Sequence, residues 1–234
     1  MGCSGQDAGP ALERVIGQRE AIVTISRSAV VVWLKTCAEA LAANKDYLTQ
    51  LDSAIGDADH GVNMERGFQA VSAKLPGVAS QDIGSILKTV GMTLISTVGG
   101  ASGPLYGTLF MQMGAVTAGK LELTLPDWIT ALEAGIDGVM RLGKANPGDK
   151  TMLDSLIPAL AALKSAAAEG SSLPSALRQS EQASRQGMLD TIPLVARKGQ
   201  ASYLGERSAG HQDPGATSSH LLLDAAADAW SKVG

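Results

Sequence analysis

The sequence predicts an all-α fold, a single-domain bundle of about eight helices. Three observations carry this. Ala (35 residues) and Leu (27) dominate a chain of 234 residues, a bias that favours packed helices over sheets. Aromatic residues make up only 3%. Apolar residues recur at helical spacing along most of the chain, and no stretch alternates with period two for more than a few residues.

The elements follow in order. Residues 28–54 carry Val31, Leu34, Ala38, Leu41, Leu48 and Leu51 on one buried face. A helix over 59–75 comes next, interrupted at Gly67 only if that face is crowded. Residues 82–97 place Ile83, Ile86, Leu87, Val90, Leu94 and Ile95 on a stripe. Further helices are expected over 104–118, 125–144, 152–169, 173–191 and 217–232. No internal repeat or long linker divides them.

Composition excludes several function classes. The net charge is −4 and no basic block is present, which argues against a nucleic-acid groove. The longest apolar run, residues 29–34, falls far short of the roughly 20 residues of a membrane span. Residues 1–10 lack the apolar core of a signal peptide, and Gln6 breaks a myristoylation pattern. Cys3 and Cys37 form no CxxC pair. A reducing, cytoplasmic setting is expected.

Four connections are richer in Gly, Pro, Asp and Ser than a bundle needs. If the helices alternate up and down, some of these loops share one end. The first holds Asp52, Asp57 and Asp59. On one continuous helix these carboxylates would diverge, so convergence needs a turn, for which Gly56 and Gly61 are candidate bends. Gathered acids repel unless a hard cation sits among them, and Mg²⁺ with phosphate is the commonest solution. Separate caps and solvated turn residues are the plainer alternative. An EF-hand is excluded, because positions 5 and 12 counted from Asp57 are Gly61 and Phe68.

The second connection, Gly99-Gly100-Ala101-Ser102-Gly103-Pro104, lets backbone amides and the Ser102 hydroxyl approach an anion at a helix start. A tight packing turn would use the same residues. The third, residues 143–152, misses a Walker A motif because Ala145 stands where Ser or Thr is required. It leaves a Pro-Gly turn with Thr151 and Asp154 at capping-box spacing, and Lys150 faces either a phosphate or solvent. The fourth runs from Arg197, a planar fork for phosphate or a base, to the Asp213-Pro214-Gly215 turn. His211 and His220 read as satisfied structural histidines.

Taken together, Ile55-Gly56-Asp57-Ala58-Asp59-His60-Gly61, Gly99 to Leu105, Pro147 to Met152, Tyr203 to Ser208 and Asp213 to Thr217 closely resemble the nucleotide-binding L subunit of dihydroxyacetone kinase. The likeness runs from about residue 26 to the C-terminus and leaves residues 1–25 as an N-terminal extension. It implies an antiparallel eight-helix barrel holding ADP or ATP and two Mg²⁺ at one end. Asp52, Asp57 and Asp59 would then be the metal ligands and catalytic acids. His60, Gly61, Val62, Asn63, Ala101 and Ser102 would line the phosphates. Gly143, Met152, Arg197, Asp213, Pro214 and Gly215 would contact the rest of the nucleotide. A separate K subunit would hold dihydroxyacetone through a histidine. In one departure, Gln200 stands where the family usually has Arg, which removes a cation.

The resemblance leaves two modes open. ATP exchanges at each turnover, or ADP is retained and rephosphorylated by a phosphotransferase-system protein; the lack of an attached K domain favours the second. The acceptor is dihydroxyacetone or a related ketose such as erythrulose. A non-catalytic ADP-binding regulatory module and a barrel enclosing an apolar ligand are the competing classes. A homodimer is left open, since no heptad seam stands out.

Overall fold

The computed structural model describes residues 23–231, together with Met1. Residues 2–22 of the expected extension, Cys3 among them, lie outside the described residues. Nine α-helices are described: α1 (Arg27–Ala43), α2 (Lys45–Ile55), α3 (His60–Val78), α4 (Ile83–Thr97), α5 (Ser102–Val116), α6 (Leu125–Gly143), α7 (Leu153–Ala168), α8 (Leu173–Asp190) and α9 (Pro214–Trp230). A 3₁₀ helix, Gln200–Ser208, precedes α9, and two short strands, β1 (Ile25–Ser26) and β2 (Glu122–Leu123), pair antiparallel.

Eight helices close a ring. Each of α3 to α8 packs on the next, and α1 packs on both α3 and α9. The expected eight-helix barrel is therefore present. The ninth helix, α2, comes from the expected 28–54 helix, which breaks at Asn44 and lies outside the ring against α3 and α9. The Asn44 side chain donates to Ala40 O (2.8 Å), and its backbone N–H binds the same carbonyl at 3.1 Å. Hydrogen bonding by the Asn side chain to the backbone competes with helix continuation. The paired strands are too short to leave an alternating pattern.

The core gathers the few aromatics. Trp33, Trp128 and Trp230 meet with ring centroids 4.9–5.3 Å apart, and Phe110 adjoins Trp33 at 5.8 Å. Small residues set the tightest seam. A Cβ on Gly91 of α4 would lie 2.7 Å from Gly107 O, and one on Gly107 of α5 would lie 2.9 Å from Gly91 O. Gly84 and Gly114 repeat this contact one heptad away, each 2.7 Å from the other's carbonyl. Gly67 is also crowded, since a Cβ there would fall 2.2 Å from Val98, yet α3 runs through it unbroken. Among the described residues, no helix is long and apolar enough to cross a membrane.

The helix starts differ between the two ends of the ring. At the end away from the four singled-out loops, α1, α4, α6 and α8 are capped by their own side chains, Ser26, Asp82, Thr124 and Ser172. At the other end, Asp213 caps α9, but α3, α5 and α7 have no side-chain cap from their own N-cap residue. Uncapped amides and the positive end of the helix dipole suit an anion.

Candidate functional site

The four Gly- and Asp-rich connections meet at that second end, around one cavity of about 400 Å³. Its acidic part is a corner between α2 and α3. Asp52, in the last turn of α2, is buried, and its Oδ2 accepts the N–H groups of Asp59 (2.9 Å) and His60 (3.1 Å). One carboxylate thus closes the corner and caps α3 from outside. The chain turns at Gly56 and Ala58. Ala58 has φ +63°, and a Cβ on Gly56 would lie 2.1 Å from Asp52 Oδ1.

Carboxylate oxygens of Asp52, Asp57 and Asp59 come within 4.8 Å of one another. Burial raises the Asp52 pKa above the usual carboxylate range; the two amide bonds oppose this and the Asp57 charge adds to it. Among the described residues no Lys or Arg forms an ion pair with the three. The Gln200 amide donates to Asp57 Oδ2 at 2.6 Å. An oxygen-only cluster without a counter-ion fits a hard divalent cation.

Across the corner, His60 opens α3 in a buried position. Its Nδ1 lies 3.1 Å from Ser102 Oγ and its Nε2 2.8 Å from Ser218 Oγ. Burial pushes its pKa down to about 4 against the pull of Asp59 and Asp57. The Gly99–Ser102 loop is held from beneath. Asn63 is buried against Gly99 and accepts from Arg66 Nη2 (2.5 Å), while Arg66 Nε donates to Thr97 O (2.9 Å). Gly100 takes φ +61°.

The third loop is stitched by Asp154, which accepts from Thr151 N (2.7 Å) and Gly148 N (2.5 Å). Lys150 reaches the cavity wall but is 1% exposed. Its ammonium donates to Ser208 O (2.6 Å) and Leu194 O (3.0 Å), with Ile192 O at 3.5 Å. Lys150 ties three segments together and is neither solvated nor free for a phosphate. Leu105, Val139, Leu142, Ala145 and Met152 give the α5–α7 side of the wall an apolar surface suited to a planar ring.

Asp213 caps α9, accepting Ala216 N at 2.6 Å, and burial raises its pKa from 3.8 to about 7. The folded protein therefore holds a proton that the unfolded chain releases near pH 4. This stabilisation is present at low pH and is lost as pH rises through about 7. Asp213→Asn keeps the cap but cannot titrate. Its melting temperature relative to the wild type is expected to rise steadily between pH 4 and pH 8 in a thermal-melt series.

Comparison with known proteins adds the decisive observation, a match of residues 54–228 to the DAK2 domain. The chain belongs to the DAK2-domain family. This DAK2 protein is 48% identical over 201 residues to the ADP-binding subunit of the PEP-dependent dihydroxyacetone kinase of Escherichia coli, covering 86% of this chain and 96% of that one. It is 39% identical over 194 residues to the ADP-binding subunit of the PTS-dependent dihydroxyacetone kinase of Lactococcus lactis, covering 83% and 93%. In fold it resembles the dihydroxyacetone kinase of C. freundii solved with AMP-PNP and Mg²⁺, with a TM-score of 0.65 and 24% identity. That match covers 97% of this chain and 37% of the longer one.

Eleven of the fifteen residues the sequence singles out line the cavity of the DAK2 domain: Asp52, Asp57, Asp59, His60, Ala101, Ser102, Gly143, Met152, Asp213, Pro214 and Gly215. The other four lie outside its lining. Gly61 is not a bend. It sits inside α3, where a Cβ would meet Lys45 O at 2.0 Å. Val62 is exposed, Asn63 supports the Gly99 loop, and Arg197 is exposed with its N–H donated to Asp149 O (3.0 Å). Lys198 and Gln200 line the wall instead. His211 is exposed, and His220 Nδ1 is buried with no partner among the described residues, so neither is a satisfied structural histidine there. Tyr106, Ser218 and Ser219 carry no local motif; only the fold brings their hydroxyls behind His60.

Proposed function

We propose that this chain is the nucleotide-holding phosphotransferase subunit of a dihydroxyacetone kinase, passing a phosphoryl group to a triose held on a separate K subunit. The observation that carries the reading is the meeting of Asp52, Asp57 and Asp59 with the Gly99–Ser102 loop around one cavity. In it, residues 26–234 form the nucleotide-binding unit. This agrees with α1, which begins at Arg27 and closes the ring.

Asp52, Asp57 and Asp59 would hold two Mg²⁺, which supply charge neutralisation on the transferring phosphoryl group. Amides of the Gly99–Ser102 loop at the start of α5, with the Ser102 hydroxyl, would fix the phosphate oxygens in line. Asn63 acts from behind that loop. The apolar wall, with Gly143, Met152 and the Asp213–Gly215 turn, takes the nucleoside, and Arg197 reaches it only from the rim. Asp52 is anchored by two amides, whereas Asp57 is steered by the Gln200 amide.

ADP is retained in this reading and rephosphorylated by a phosphotransferase-system protein in the cytoplasm. The relatives named as ADP-binding subunits of PEP- or PTS-dependent kinases, matched along nearly their full length, support it. Protein purified without added nucleotide is expected to release about one equivalent of ADP on denaturation, read by ion-exchange chromatography. With ATP and a triose-loaded K subunit but no phosphocarrier, turnover is expected to be negligible. Brisk turnover there overturns the retained-ADP mode in favour of ATP exchange.

A further inference from the structure

Behind the cavity runs a continuous line of buried hydroxyls that ends on Ser102. Tyr106 of α5 is 1% exposed, and Ser218 and Ser219 of α9 are fully buried. The Tyr106 hydroxyl lies 2.8 Å from Ser219 Oγ, 2.7 Å from Ser218 Oγ and 3.0 Å from Gly215 O. Ser218 Oγ in turn lies 2.8 Å from His60 Nε2, 3.0 Å from Pro214 O and 3.2 Å from Gly215 O, and His60 Nδ1 lies 3.1 Å from Ser102 Oγ.

Three arrangements satisfy this line: its two directions, and one in which Ser218 donates to Pro214 O or Gly215 O while His60 Nε2–H donates to Ser218. Among the described residues Ser219 has one side-chain partner, the Tyr106 oxygen. Its buried proton goes there, since a buried hydroxyl without an acceptor is costly. Tyr106 then donates over its shortest contact, to Ser218, and Ser218 over its shortest remaining one, to His60 Nε2. The imidazole N–H falls on Nδ1 and points at Ser102 Oγ, so the Ser102 proton is left to face the cavity. Each donated bond polarises the next. Reversed, the line would place the proton on Nε2, draw the Ser102 proton onto Nδ1 and present lone pairs to any anion.

We propose that Tyr106 is a positioning residue: the run Ser219–Tyr106–Ser218–His60 sets the imidazole as its Nδ1–H form and so aims the Ser102 hydroxyl proton at an anion in the cavity. The proposal rests on the nucleotide reading only for the identity of that anion, a phosphate oxygen of ADP.

The tautomer is measured by long-range ¹H–¹⁵N correlation on the full-length protein freed of ligand, with His60 assigned by comparison with His60→Asn. Wild type is expected to show Nδ1–H, and Tyr106→Phe a shift towards Nε2–H. Ser219→Ala serves as a second, smaller excision acting on the same line. ADP affinity, by calorimetry with Mg²⁺, is expected to weaken about fivefold in Tyr106→Phe, the loss of one hydrogen bond. On a Ser102→Ala background the same substitution is expected to change nothing. An Nε2–H imidazole in the wild type, or equal affinity losses with and without the Ser102 hydroxyl, overturns the proposal. Wild-type protein that binds no ADP would instead count against the nucleotide reading, while the ligand-free tautomer still decides the direction of the line.

Discussion

Asp57→Ala is expected to cripple phosphoryl transfer while leaving the fold intact. The side chain is exposed, its one described side-chain partner is the Gln200 amide, and it stands beside two other carboxylates. Removing it relieves like-charge repulsion, so the melting temperature is expected to hold or rise slightly. In the proposed reading the cation site loses a ligand at the same time. Transfer to the triose is expected to fall at least ~100-fold, about 3 kcal/mol of transition-state stabilisation. Coupled turnover assays and a thermal melt on one preparation check both halves. Asp52→Ala behaves differently, because its buried carboxylate also accepts two amides at the start of α3; it should lose stability together with transfer. A regulatory module that only binds ADP would show no transfer to lose.

Lys150→Met is expected to produce the largest loss of stability, on the order of 2–4 kcal/mol. Methionine has nearly the length of the lysine stem, so little packing is lost. What disappears is the ammonium that holds Ser208 O and Leu194 O, on the two segments joining α8 to α9. Both carbonyls would then be left without this donor in a buried setting. Because the same segments carry Gln200 and Asp213 to the cavity, nucleotide affinity should fall in parallel. Chemical denaturation gives the first effect and calorimetry with Mg-ADP the second. An unchanged denaturation midpoint would show that the ammonium contributes nothing there.

Much of the fold was legible because amphipathic helices announce themselves locally. The spacing of Ile83, Ile86, Leu87, Val90 and Leu94 leaves one buried face, and α4 lies where the stripe puts it. The break at Asn44 was not legible, since the apolar stripe of 28–54 continues across it. The Asp-rich and Gly-rich loops also stood out, because their residues are unnecessary for connecting helices. Their meeting around one cavity was an expectation only, and it held. Lys150 and the His60 line show where such reading stops. A lysine in a loop looks solvated until three distant carbonyls surround it, and Tyr106 looks like any core aromatic until Ser218 and Ser219 arrive from more than a hundred residues away.

The sequence by itself determined the all-α class, the rough extent of most helices, and the residue types offered to a cation and an anion. These depend on periodicity, propensity and turn chemistry, all of which act over a few neighbouring residues. Tertiary structure alone decided that Asn63 and Lys150 hold loops and that Gln200 meets Asp57. Those outcomes hang on contacts between segments far apart in the chain, where burial removes water and leaves each polar atom only the partners that the packing supplies.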